Sequence, residues 1–166
     1  ADMDSGARGA SMYGALDAFL PAVLALGGDI DRASRLQKSG LAMWRLHGIE
    51  PEALDYRKME VTSGGYQLRP EIVESAYYLH HYTRDVRWRA MGREFFDDFV
   101  RHARTDVAYA AIKDVRTMEK RDSMESFALA ETFKYYWLLF SPPSALDFDG
   151  VVFNTEAHPL RKTWTD

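Results

Sequence analysis

Apolar residues recur at helical spacing over Met12, Leu16, Phe19, Leu20, Val23 and Leu24, which predicts a helix capped by Ser11 and ended by Gly27-Gly28. Pro21 inside that stretch predicts a bend or an interruption. A second helix is predicted from Asp29 to His47, with Ile30, Ala33, Leu41 and Trp44 as its apolar seam. Residues 48–66, containing Pro51, Gly64 and Gly65, read as a long polar connection of the kind that is functional or mobile. A third helix opens at LRPEIVES, where Pro70 suits the first turn, and runs to about Tyr82. A fourth starts near Asp85 and carries Trp88, Met91, Phe95 and Phe99. A fifth opens with Asp122 and Glu125 at capping-box spacing, continues through SFALAETFKYYWLLF and stops before Pro142-Pro143. The alternation in AYAAIKDV (108–115) predicts a short strand or extended turn, and GVVFNTEAH (150–158) predicts another. Helices joined in sequential pairs imply either a solenoid or a closed toroid of helical hairpins. No exact internal repeat favours the solenoid.

Composition narrows the function classes. The 166 residues suit one domain with a sizeable core, and 46% apolar content argues against general disorder. The net charge of −4 offers no basic field for nucleic acid, and no apolar run is long enough to cross a bilayer. With no cysteine there is no disulfide framework, thiol nucleophile or thiolate metal site within the chain. Residues 1–9 carry no basic-then-apolar leader pattern, and the chain reads as a piece of a longer protein.

The carboxylates are the unusual feature. Glu71 and Glu74 share one helix face in a first turn, where exposed N–H groups favour anions; ordinary helix-start charges would look the same. Arg69 beside them fits a surface ion pair or a substrate clamp. Glu131 lies among Phe127, Ala128, Phe133, Tyr135 and Trp137, so it is either one half of an internal ion pair or part of a polar patch lining a pocket. Thr155-Glu156 reads as a plain turn or as a hard, oxygen-rich environment suited to calcium rather than zinc. No HExxH, nucleophile elbow or phosphate-binding glycine loop is present. The 22 aromatics fall mostly at core spacing, and a few near the carboxylates would suit stacking on sugar rings.

Four separated motifs then combine: LRPEIVES (68–75), YAAIKDVRT (109–117), DSMESFALAETFKYYWLLF (122–140) and VFNTEAHPL (152–160). In this order they resemble the class I α-mannosidases of glycoside hydrolase family 47, over most of the chain from about residue 11. The YAAIKDVRT, GDIDRA and MWRLHGIEPEAL stretches look most similar to the endoplasmic-reticulum degradation-enhancing mannosidase-like branch.

The resemblance implies an all-α fold: the C-terminal portion of a single (α/α)7-barrel catalytic domain, spanning residues 1–166, with short β-hairpins plugging the barrel. It implies inverting, calcium-dependent removal of terminal α-1,2-linked mannose from high-mannose N-glycans of misfolded glycoproteins, with a non-catalytic glycan-binding quality-control module as the alternative. A purely structural helical-hairpin protein is a third reading of the same pattern. By resemblance, Glu71 is the catalytic base and Thr155 the calcium ligand. Glu74, Glu131 and Glu156 hold the ion's waters or sugar hydroxyls, Arg69 and Phe127 contact and stack on sugar, and Glu125 is a pocket-side acid. The general-acid glutamate and a catalytic aspartate are implied upstream, in the remainder of the same domain. The implied setting is the endoplasmic-reticulum lumen, with a protein disulfide isomerase-family oxidoreductase as a possible partner.

Overall fold

The computed structural model describes residues 2–164. Five helices carry the fold: α1 (Leu20–Leu26), α2 (Ile30–Trp44), α3 (Glu71–Thr83), α4 (Val86–Ala103) and α5 (Phe133–Phe140). Asp29 and Asp85 start α2 and α4 by accepting the amides of Arg32 and Arg87 at 3.1 and 2.9 Å. The α3 helix lies at the centre, packed against the other four. Its apolar face (Ile72, Val73, Ala76, Leu79) meets a core of Trp44, Trp88, Phe95, Phe99, Tyr135 and Leu139. Gly92 permits the approach of α4 to α5, because a Cβ there would lie 2.1 Å from Leu139 Cδ2.

The first expected helix is largely something else. Met12–Gly14 is a strand, β1; Ala15–Phe19 is a tight 3-10 turn; and only Leu20 onward is α-helical, with Pro21 in its first turn rather than at a kink. Ser11 therefore does not cap it. The buried face is made of small residues, Ala15, Ala18, Pro21, Ala22 and Ala25, set against α3. Of the periodic residues, Met12, Leu16, Phe19, Leu20 and Val23 face outward, 41–56% exposed, as does Leu26, while Leu24 packs partly buried against the core.

The expected polar connection also carries structure. Ala53–Asp55 (β2) and Glu60–Ser63 (β3) form an antiparallel hairpin that pairs with β1 in the order β1-β2-β3. A second hairpin, β4 (Ile112–Asp114) and β5 (Glu119–Lys120), uses the same turn: DYRKME and DVRTME share the pattern D-x-R-x-M-E. In each, the aspartate Oδ1 accepts the amide two residues on, at 2.9 Å, and the methionine takes a positive φ of 57°. Tyr66 and Ile112 exchange backbone hydrogen bonds of 2.9 and 2.8 Å, joining the two hairpins. The first hairpin lies on the path that leads into α3, and the second on the path from α4 toward α5.

The fifth helix begins at Ser126 rather than at an Asp122 cap, and Ala128–Thr132 is a π-helical turn ahead of α5. Such turns recur at functional sites. The Thr132 hydroxyl donates to the Leu68 carbonyl at 2.6 Å; Leu68 is fully buried with φ 61°, unusual for a bulky residue. This bond fixes the segment that delivers Arg69 and Glu71. In the full-length protein, Thr132→Val is expected to cost about 1–3 kcal/mol by orphaning a buried carbonyl, read as a lower unfolding midpoint. An unchanged midpoint would show that Leu68 is held by packing alone.

The chain closes with a third hairpin, β6 (Val151–Phe153) and β7 (Pro159–Arg161), so the extended segment expected at 150–158 is one arm and the turn of a pair. Phe153 and Phe148 pack on Tyr135 and Tyr77, which seats the hairpin against α5 and α3.

Candidate active site

Three elements converge at the start of α3. Glu71 and Glu74 occupy its first turn, Glu131 sits in the π turn before α5, and Thr155-Glu156 lie in the β6–β7 turn. Lys134 Nζ donates to the Ala157 carbonyl at 2.6 Å and pins that turn to α5. Asn154 Oδ1 accepts the amides of Glu156 and His158 at 3.0 and 2.9 Å, and Ala157 takes a positive φ of 53°. These bonds run through the neighbours of Thr155 and leave its hydroxyl and carbonyl outside them.

The charges form a chain. Burial pushes Glu74 up to about 7, opposed by a Tyr135 hydroxyl that donates to Oε1 at 2.9 Å and assisted by repulsion from Glu71 and Glu131. Burial likewise pushes Glu131 up to about 7, and Glu156 and Glu71 add to the rise while Lys134 opposes it. Burial raises Glu71 as well, with its own backbone amide and Arg69 pulling the other way. Glu71 Oε1 is 4.0 Å from Arg69 Nη1, and Oε2 is buried with no hydrogen-bond partner among the described residues.

Arg69 is already committed. It donates three hydrogen bonds to Glu52, of 2.8–3.1 Å, and its guanidinium carbon lies 5.9 Å from the centre of the Phe127 ring. Glu71 is therefore only partly neutralised by it. Phe127, partly exposed, offers an aromatic face beside it. Glu125 stands apart: it is exposed ahead of the helix and accepts a hydrogen bond from the Ser123 hydroxyl at 3.0 Å.

Glu50, Glu52 and Tyr13 join this neighbourhood without having been singled out in the sequence. Glu52 holds Arg69, and Glu50 accepts the Tyr13 hydroxyl at 2.7 Å. The two glutamates lie on the stretch that reads as a polar connection, where no periodicity marks them, and Tyr13 lies on β1. The D-x-R-x-M-E pair was the available signal that this stretch is a hairpin.

Among the described residues, a hydroxyl and a carbonyl outside the hydrogen bonds of the turn and several mutually repelling carboxylates make a donor set that fits a hard divalent cation. Among the described residues no three His, Cys, Asp or Glu side chains are grouped closely enough to clasp a metal directly. Two cavities lie elsewhere. A cleft of about 450 Å³ is lined by Tyr77, His80, His81, Arg84 and Arg89, and a groove of about 510 Å³ by Tyr13, Gln37, Met43 and Ile72; neither is lined by the four carboxylates.

The frame is mostly helical with short β-hairpins, and its acids gather at one helix start. The chain belongs to glycosyl hydrolase family 47, whose profile matches residues 2–162. It is 38% identical to Alpha-mannosidase I MNS4 of Arabidopsis thaliana, over 96% of this chain and 27% of that protein. It is 34% identical to the human ER degradation-enhancing alpha-mannosidase-like protein 2, over 95% of this chain and 31% of that protein. An alpha-1,2-mannosidase from Trichoderma reesei superposes with a TM-score of 0.83 at 30% identity, covering 92% of this chain and 39% of that one. The chain thus spans between about a quarter and two fifths of the length of these relatives.

Proposed function

We propose that this chain is the C-terminal portion of an inverting α-1,2-mannosidase domain that trims terminal mannose from high-mannose N-glycans. The observation that carries the reading is the convergence of Glu71, Glu74, Glu131 and Glu156 from three elements, beside Arg69 and Phe127, in a chain of this family. Glu71 acts as base: its partial neutralisation leaves a lone pair to take a proton from the attacking water. Phe127 stacks on the sugar face, and Arg69, stiffened by Glu52, orients it. Glu74, Glu131 and Glu156 accept sugar hydroxyls or the waters of a cation. Thr155 would hold calcium, which when bound offsets the repulsion between these acids and orders sugar hydroxyls.

The general acid and a further aspartate belong to the preceding part of the barrel in this reading. The outward stripe of Leu16, Phe19, Leu20, Val23 and Leu26 is the edge that part covers, since a contiguous exposed apolar patch marks an interface. Relatives named for endoplasmic-reticulum mannosidases and degradation-enhancing proteins support a place in the lumen of that compartment, in disposal of misfolded glycoproteins. Among the described residues no helix is long and apolar enough to cross a membrane. A covalent link to a disulfide isomerase-type partner would use a cysteine elsewhere in the protein, as this chain has none.

The test is mannose release by the full-length protein from glycans ending in α-1,2-, α-1,3- or α-1,6-linked mannose. Cleavage confined to α-1,2 linkages, with β-mannose as the first product by proton NMR, is expected. Tight glycan binding without release would favour the non-catalytic module, and retained anomeric configuration would end the inverting mechanism.

A further inference from the structure

Glu50 is completely buried, just ahead of β2. Among the described residues its carboxyl has a single hydrogen bond: the Tyr13 hydroxyl on β1 donates to Oε1 at 2.7 Å, and Oε2 has no partner. Among the described residues no cationic side chain is paired with it, and the guanidinium of Arg69 is spent on Glu52. An ionised carboxylate with one neutral donor is costly to bury, whereas the neutral acid is far less so. The groups that share its field come from every side. Tyr13 faces it from β1 and Glu52 from beside β2. Tyr66 and Arg69 lie in the segment leading to α3, Glu71 at the start of α3, and Tyr136 on α5. Three carboxyl groups thus share one cation.

We propose that Glu50 is the protonated member of this three-carboxyl cluster and a positioning residue for Glu71. As a neutral group it ties β1 and the β2 edge beside the start of α3, and it leaves the negative charge to Glu52, matched by Arg69, and to Glu71. Where like charges crowd, the proton settles on the member whose surroundings stabilise charge least, and here that is the fully buried Glu50. The part of the proposal that concerns Glu71 rests on its reading as the base. The neutrality of Glu50 does not.

The sign follows from linkage. Burial pushes Glu50 up to about 8, with repulsion from Glu71 and Glu52 adding to it, while the Tyr13 hydrogen bond and Arg69 act in the opposite direction. A carboxyl raised in the folded state takes up a proton on folding. Its contribution to stability is greatest below its unfolded value of about 4.5 and declines until the pH passes its folded value.

The experiment is thermal unfolding of the full-length protein and its Glu50→Gln variant from about pH 5 to about pH 9. Glutamine keeps the shape and the Tyr13 acceptor but has no proton to lose. Any fixed cost of the amide is the same at every pH, so the trend isolates the titration. The midpoint of Glu50→Gln is expected to rise relative to wild type as pH increases, levelling off above about pH 8. Parallel curves would overturn the proposal. Tyr13→Phe is the second variant: losing that donor raises the proton affinity of Glu50, so the wild-type decline should extend to higher pH, and an unmoved decline overturns the assignment equally. Mannosidase activity supplies the other readout. The alkaline fall of wild type should move to higher pH in Glu50→Gln, and an unmoved alkaline limb removes the positioning role. The unfolding curves report on Glu50 whether or not the protein hydrolyses mannosides, so failure of the proposed function and failure of this inference are separable.

Discussion

Glu71→Gln in the full-length protein is expected to lower mannose release by about 10²–10⁴-fold while leaving folding and glycan binding largely intact. The amide has the shape of the carboxyl but cannot accept the water's proton. Neighbouring bonds survive, since Arg69 is held by Glu52 and the helix start is set by Leu68 and Thr132. Stability should be unchanged or slightly higher near neutral pH, because burial raises Glu71 and its ionised form is therefore a cost to the fold. The wild-type rate should fall in acid at a higher pH than an ordinary glutamate would produce, since the base works only when deprotonated. Single-turnover rates and glycan titration on the same preparation check both halves. Full activity after the substitution would end the assignment of Glu71 as base.

Removing divalent cations with a chelator is expected to abolish both sugar binding and turnover, and calcium should restore them where zinc does not. The reason is the donor set. Thr155 offers a hydroxyl and a carbonyl, and the nearby acids are oxygen ligands that repel one another; Glu74 and Glu131 both sit near 7 partly for that reason. A hard cation relieves that repulsion, so calcium should also raise the unfolding midpoint in a concentration-dependent way. Thr155→Val should weaken calcium binding measured by titration calorimetry. Equal glycan binding with and without chelator would remove the cation from this site.

The helices that pack on both flanks were the most readable. The apolar seams through Trp44 and Phe95, with starts placed at Asp29 and near Asp85, predict α2 and α4 closely, and the structure adds the aspartate caps. The first helix was misleading since its apolar stripe faces outward, and its buried face is made of alanines that carry little hydrophobic signal. The β1–β2–β3 sheet was illegible because strands of three or four residues show too few alternations to count. On the site, the helix-start spacing of Glu71 and Glu74 and the apolar setting of Glu131 were visible, and the motif order joined them to Thr155. Glu50 and Glu52 were not, because their partners, Tyr13 and Arg69, are 37 and 17 residues away.

Ser75 gives the chain an unusual dependence. Its hydroxyl accepts the amide of Ala22 and donates to the carbonyl of Ala18, so α1 borrows its opening bonds from a residue 53 positions later. The order in which these segments leave the ribosome is thus not the order in which they can settle: the earlier one must wait for the later.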